Sequence, residues 1–300
     1  MIRALASLIL AIALVLPQSA DAYGFYAHGR ISRLAMLNVK PQTRAAVMAM
    51  LRQQALIETP ECRVDSVEEA GAWADCARGL GARFQYTASW HYQNVDVCKP
   101  FDLASACKDG NCVSAQVDRN VKLLQDRATP RREKIMALLF LMHFVEDLHM
   151  PLHAGDRADR GGNDVRSSYG DYVSERLNLH SIWDGALAER AITTPPEIIR
   201  PYSPRERAAL SGGTTLDWSR EAWAVSRDVA YAGALGDPCG AKPDGRVTLT
   251  SEAIAAAVPA AQLQAQRAGL RLARLLDESF DPANAFDSAA QRRERRRPRD

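Results

Sequence analysis

The sequence predicts a mainly α-helical, single-domain protein stapled by disulfides, and three observations carry that prediction. Apolar residues recur at helical spacing through most of the longer segments. No βαβ alternation, hairpin series or internal repeat interrupts them, which argues for one helical body rather than a layered α/β fold. Six cysteines, an even number, sit in a chain whose first residues read as an export signal. The composition, 47% hydrophobic and 25% charged over 300 residues, is that of a globular protein.

Taken in order, residues 1–22 are expected to be a secretory signal peptide. Arg3 supplies the positive start, Ala4 to Leu16 an apolar run short for a bilayer span, and Ala20-Asp21-Ala22 the small-residue cleavage pattern. Cleavage would make Tyr23 the first residue of an exported chain, secreted or periplasmic. Ile31, Leu34, Ala35 and Leu37 then mark one helix, and residues 42–56 a second. Residues 84–100 alternate loosely and read as an extended or irregular segment presenting His91. Residues 101–113 form a cysteine-bearing loop. Helices are predicted over 114–127, 131–150 and 174–192, with Pro151 cutting the second and a glycine turn at 160–164 before the third. Prolines 195, 196, 201 and 204 mark a loop. Helices resume near 205–211, 217–233, 250–257 and 260–278, with a Gly/Pro-rich loop holding Cys239 at 235–246. The body is thus expected to run from 23 to about 280, followed by a basic, disordered tail over 281–300.

The cysteines are Cys62, Cys76, Cys98, Cys107, Cys112 and Cys239. Cys107 and Cys112 flank four residues and are expected to close a small loop. The spacing leaves the other four open; the pairing adopted as an expectation is Cys62–Cys76 and Cys98–Cys239.

The net charge is +2, but it is uneven. The last ten residues hold six arginines against Glu294 and Asp300, so the body is left at about −2. A generally basic nucleic-acid-binding surface is therefore excluded.

The chemistry concentrates in Phe140 to Ala158, FLMHFVEDLHMPLHAGDRA. His143 and Asp147 stand four apart in an apolar stretch, so a helix puts them on one face. Imidazoles and a carboxylate among Leu, Phe and Met are costly unless something binds them. His153 follows Pro151, and His180 and Asp184 repeat the i, i+4 spacing. Together with Asp75, beside Trp73, these groups suit zinc. His149, about 200° round the helix from the pair, reads as a packed histidine.

In order, YGFYAH, WADCAR, WHYQN, HFVEDLHMPLH, RGGN and NLHSIWD resemble the zinc-dependent type I nucleases, three-zinc single-strand nucleases and 3′-nucleotidases, and their sister fold, zinc-dependent phospholipase C. The resemblance runs from Tyr23 to about Leu275. It implies a helical fold with a trinuclear zinc cleft and three Zn²⁺ cofactors. The first zinc would be held by Asp75, His91, His143 and Asp147. The second would be held by His153, His180 and Asp184. The third would be held by the amine and carbonyl of Tyr23, by His28, and by the other oxygen of Asp147. Tyr23 stands where the family usually has Trp, a tolerable change because the donors are backbone atoms.

The same resemblance implies a water activated by the paired zincs, Asp75 orienting it or taking its proton, and Arg78 binding phosphate. Tyr92 would stack a base, and Asn94 would hydrogen-bond one where several relatives carry Asp. Asp96, Lys99 and Asn163 are further substrate-side candidates. The implied substrates are single-stranded nucleic acid and 3′-nucleotides, cut by a monomer with no stable protein partner. Two readings compete with this one: a phospholipase C cleaving lipid head groups, and a non-catalytic zinc-binding secreted protein with closed coordination.

Overall fold

A computed structural model describes residues 24–290; the expected signal peptide, Tyr23 and the last ten residues lie outside them. Thirteen α-helices carry this part of the chain: α1 Phe25–Asn38, α2 Pro41–Leu51, α3 Val67–Arg78, α4 Leu103–Ala106, α5 Val113–Gln125, α6 Arg131–Leu148, α7 Pro151–Ala154, α8 Leu179–Ile182, α9 Ala188–Thr193, α10 Pro204–Leu210, α11 Thr215–Val225, α12 Ala232–Leu235 and α13 Ser251–Ser279. Two small parallel pairs accompany them, β1 Val95–Asp96 with β2 Gly155–Asp156, and β3 Ser167–Tyr169 with β4 Val247–Leu249. The mainly helical prediction holds.

The central helix is α6. From Ala137 to Leu148 every residue is buried, the pattern of a helix surrounded by protein. It packs on α3, α5 and α13, while α1 lies against α3 and α13. Two apolar cores result. One gathers α2, α3, α5 and α6 around Trp73, Phe140, Phe144 and Trp218. The other gathers α7, α8, α9 and the chain around Trp223 and Tyr231. Both α1 and α13 contribute to each core, and the polar side chains of α1, α6 and α7 meet where the cores adjoin.

Local chemistry explains several boundaries. Ser66 and Glu69 form a capping box that starts α3, and Asn178 and Ser181 form one that starts α8. This cap corrects the helix expected over 174–192: residues 174–178 stay outside it, and a π-helical segment, Trp183–Leu187, lies between α8 and α9. Residues 84–100 are likewise not simply extended, because Gln85–His91 forms a 3₁₀-helix. The 101–113 loop contains α4. The two helices expected around Pro259 are one: the proline sits inside α13 on an exposed face, where the carbonyl it leaves unbonded can be solvated.

Cys62–Cys76, Cys98–Cys239 and Cys107–Cys112 are the three disulfides, with Cα separations of 5.7, 5.5 and 5.0 Å. Residues 281–290, assigned to the tail by composition, run back along the end of α5, where Arg127 N donates to Phe286 O and Ser288 N donates to the Asp126 carboxylate. No helix among the described residues is long and apolar enough to cross a membrane.

Candidate metal centre

Three helices and one turn bring the first group of side chains together. His28 comes from α1, Asp75 from the last turn of α3, His91 from the end of the 3₁₀-helix, and His143 and Asp147 from α6. Asp147 Oδ2 lies 3.0 Å from both His91 Nδ1 and His143 Nε2, and Oδ1 lies 3.7 Å from His28 Nε2. Asp75 Oδ1 is 3.5 Å from His91 Nδ1 and 3.7 Å from His143 Nε2. Two overlapping donor sets follow, His28/His143/Asp147 and Asp75/His91/His143.

The second group sits beside the first. His153 from α7 and His180 from α8 stack with ring centroids 5.1 Å apart. Asp184, in the π-helical segment, places Oδ2 2.9 Å from His180 Nε2 and 3.8 Å from His153 Nε2. His153 is held by its backbone as well. Its carbonyl accepts from Gln93 N and Asn94 N, and the β1–β2 pairing follows directly. The residues after His91 and those around His153 are thereby tied together.

The ring nitrogens facing away from these donors are fixed by main-chain carbonyls in two cases: His143 Nδ1 donates to Gly71 O at 2.7 Å, and His180 Nδ1 to Gly161 O at 2.8 Å. Each carbonyl comes from a glycine for a steric reason. A Cβ on Gly71 would stand 2.4 Å from Ser32 Oγ and 2.9 Å from His28 O, so only glycine lets α3 approach α1 this closely. Gly161 has φ +61°, and its Cβ would fall 2.2 Å from Leu152 O. The turn that holds Gly161 is itself built on carboxylates. Asp156 Oδ1 accepts from Asp159 N and Gly161 N, while Asp159 Oδ1 accepts from Gly162 N and the Tyr231 hydroxyl.

Burial and charge set the protonation of these groups. Burial pushes the His91 imidazole down to about 4 despite the nearby Asp147 carboxylate. Burial also opposes protonation of His153, but Asp147 and Asp184 outweigh it and carry this imidazole up to about 10. His143 moves up for the same kind of reason, Asp147 and Asp75 overcoming burial. Burial raises a carboxyl pKa, yet the imidazoles around Asp147 and Asp184 hold both below the usual carboxylate range.

These residues fit a divalent cation. Asp184 Oδ1 is buried without a hydrogen bond, a costly state for a carboxylate oxygen in a protein interior. Imidazole and carboxylate at these spacings form the donor set that zinc favours, and three such groups are present among the described residues.

Other expected residues lie nearby or apart. Arg78 reaches back one turn, Nη2 3.1 Å from Asp75 Oδ1, and stays 22% exposed. Tyr92 follows His91 and is 40% exposed. Asn94 has φ +49°, a left-handed conformation that asparagine tolerates better than most residues. Asp96 is engaged by Cys98 N and by the exposed Lys99, 2.9 Å away. The Asn163 side chain caps the glycine turn through Arg160 O. His149 is buried away from both groups, between Val145 O and the Arg271 guanidinium. One residue of the site is not singled out by the sequence: Glu146, fully buried, with Oε2 2.5 Å from His28 Nδ1 and Oε1 accepting from Ser32 Oγ. A carboxylate inside an otherwise apolar helical run is its available signal.

Comparison with known proteins agrees with this geometry. The sequence model of the S1/P1 nuclease family matches residues 23–281. The chain is 26% identical over 179 residues to Endonuclease 2 of Arabidopsis thaliana, covering 56% of this chain and 57% of that protein. It is 25% identical over 211 residues to Endonuclease 4 of the same plant, covering 66% and 65%, and 24% identical over 174 residues to Nuclease P1 of Penicillium citrinum, covering 57% and 60%. The matched span is thus less than two thirds of the length of these relatives. With its family's model matched over most of its length, and with buried His/Asp groups gathered where its two cores meet, the chain belongs to the S1/P1 nuclease family.

Proposed function

We propose that the protein is an exported, zinc-dependent phosphodiesterase that hydrolyses single-stranded RNA and DNA to 5′-phosphorylated products and also acts on 3′-nucleotides. The observation that carries this is the meeting of two buried His/Asp groups, with the partly exposed Arg78 held against Asp75 beside them. The family and the printed names of the relatives support nucleic acid as the substrate.

In this proposal Asp75, His91, His143 and Asp147 hold one zinc, and His28, Asp147 and the Tyr23 backbone hold its neighbour. His153, His180 and Asp184 would hold the separate zinc with waters, an open shell that suits catalysis better than a structural role. Bound zinc supplies Lewis acidity and makes water a nucleophile near neutral pH. Asp75, beside His91 and His143, would orient that water or accept its proton. The Arg78 guanidinium, steadied by Asp75, offers a cation to a phosphate at the rim. The exposed Tyr92 ring offers a face to an unstacked base, which favours single strands. Export agrees with the three disulfides and the expected 1–22 signal.

The test is an assay of the zinc-replete protein on single-stranded RNA, single-stranded DNA, 3′-AMP and phosphatidylcholine. Hydrolysis of the first three supports the proposal. Turnover of phosphatidylcholine alone would make it a phospholipase, and activity on none would leave a zinc-binding protein.

A further inference from the structure

We propose that Glu146 is a positioning residue of the metal centre: its carboxylate fixes the His28 ring and supplies negative charge that the donors around His28 lack. This rests on the proposal above that His28 holds a metal. Three imidazoles of the centre have their outward Nδ1 fixed by an acceptor, and only His28 meets a charged one. His143 and His180 donate to the carbonyls of Gly71 and Gly161, whereas His28 Nδ1 lies 2.5 Å from Glu146 Oε2. With Nε2 turned to a metal, the ring proton sits on Nδ1 and is donated to Glu146, while Nε2 faces Asp147 Oδ1 at 3.7 Å and Asp75 Oδ2 at 4.0 Å.

The carboxylate is held on both sides. Its second oxygen accepts from the Ser32 hydroxyl at 2.6 Å, and Ser32 lies one turn beyond His28 on α1. Glu146 thereby pins α6 to the helix face that carries His28. Its burial is complete, and among the described residues its one ion-pair partner is His28. A carboxylate taken out of water and given only an imidazole and a hydroxyl gains little stability for the fold. It gains much more with a cation on the far side of the ring, since a carboxylate behind a metal-bound imidazole raises the basicity of that ligand.

Charge shows why this position should need it. The zinc beside His28 would have one imidazole, neutral backbone donors of Tyr23 and a shared oxygen of Asp147. Its neighbour would have Asp75 as well as Asp147, and the separate site would have Asp184 to itself. Counting Glu146 as a fourth carboxylate, three Zn²⁺ leave the centre at about +2 instead of about +3.

The experiment compares the zinc-loaded wild type with Glu146→Gln, which keeps the shape and removes the charge, and with Glu146→Ala. Zinc content is measured after equilibration with graded chelator and again over a falling pH series, with circular dichroism as the check on folding. The expected result is a wild type with three zincs and a folded Glu146→Gln protein in which one zinc is held roughly 10- to 100-fold more weakly. That zinc should also be released at a higher pH, while the other two behave as in the wild type. If Glu146→Gln holds all three zincs with wild-type affinity and acid release, the positioning role is wrong and the metal assignment stands. Equal weakening of all three zincs, or misfolding of both variants, makes Glu146 a residue of the fold instead. A wild type that binds no zinc removes the functional proposal and this one together.

Discussion

His153 Nδ1 lies 3.3 Å from Asp147 Oδ1. The two groups are therefore in contact through a pair of side chains that stand on either side of Pro151, at the junction of α6 and α7. Asp147 Oδ2 faces His91 and His143, while Oδ1 faces both His28 and His153. Asp147→Asn should consequently lose about two of three zincs, because an amide offers one neutral oxygen where the carboxylate offers two charged ones. The remaining zinc should bind less tightly as His153 loses its neighbour. Metal analysis of the dialysed variant checks this; normal zinc content would refute the bridging role.

Gly24, the residue after the proposed amine donor Tyr23, is anchored at the start of α1. Gly24 N donates to Asp184 O at 3.0 Å, and Gly24 O accepts from Ala27 N at the start of α1. The chain thus enters α1 tied to the Asp184 backbone, four residues before His28. A protein retaining even one residue before Tyr23 should bind about one zinc fewer and lose most of its hydrolytic activity, since an amide nitrogen has no lone pair to offer a metal. Mass spectrometry of the two N-termini, with zinc analysis of each, decides it. Full zinc content in the extended protein would eliminate the amine from the donor set.

Much of this centre is legible in the sequence, for a physical reason. The i, i+4 pairs His143/Asp147 and His180/Asp184 need only local helix geometry to face one way, and both do. The second pair is expected on a helix starting at 174, yet the actual start at Leu179 leaves the spacing intact. Residues supplied by tertiary contact are harder to see. Gly71 and Gly161 orient imidazoles through carbonyls 72 and 19 residues away in sequence, and no side-chain pattern announces a carbonyl. Glu146 hides between two stronger signals, and its partners on α1 are more than 100 residues distant. The return of residues 281–290 to α5 is hidden for a similar reason: it depends on two backbone hydrogen bonds with Phe286, which composition does not encode.

Two glycines with nearly the same φ separate conformational strain from packing. Gly161 has φ +61° and Gly170 has φ +58°, but a Cβ would meet Leu152 O at 2.2 Å in the first and nothing within 4 Å in the second. Gly170→Ala should cost only the left-handed penalty, about 1–2 kcal/mol, and leave zinc content unchanged. Gly161→Ala should cost more, because Leu152 precedes His153 and must shift, and because Gly161 O holds His180. The zinc of the His153/His180/Asp184 group should loosen with it. Thermal unfolding and chelator titration of both variants provide the measurement, and matching behaviour would show that the Gly161 turn does not position the site.

Substrate preference should depend on the Tyr92 ring and hardly at all on Lys99. The backbone at Tyr92 is anchored independently of the ring, its carbonyl accepting from Val113 N at 3.1 Å beside the Cys107–Cys112 disulfide. Tyr92→Ala should therefore keep the fold and its zinc while losing a stacking surface worth about 1–3 kcal/mol per base. That corresponds to a fall of roughly 5- to 150-fold in kcat/KM on single-stranded oligonucleotides. Tyr92→Phe should stay near wild type, because stacking uses the ring and not the hydroxyl. Lys99 is 76% exposed and paired with Asp96 at the surface, a solvated ion pair of small energetic weight. Lys99→Ala should accordingly change kcat/KM by less than about threefold at physiological salt. Steady-state kinetics on one single-stranded substrate rank the three variants, and a Tyr92→Ala protein as fast as the wild type would exclude base stacking at this position.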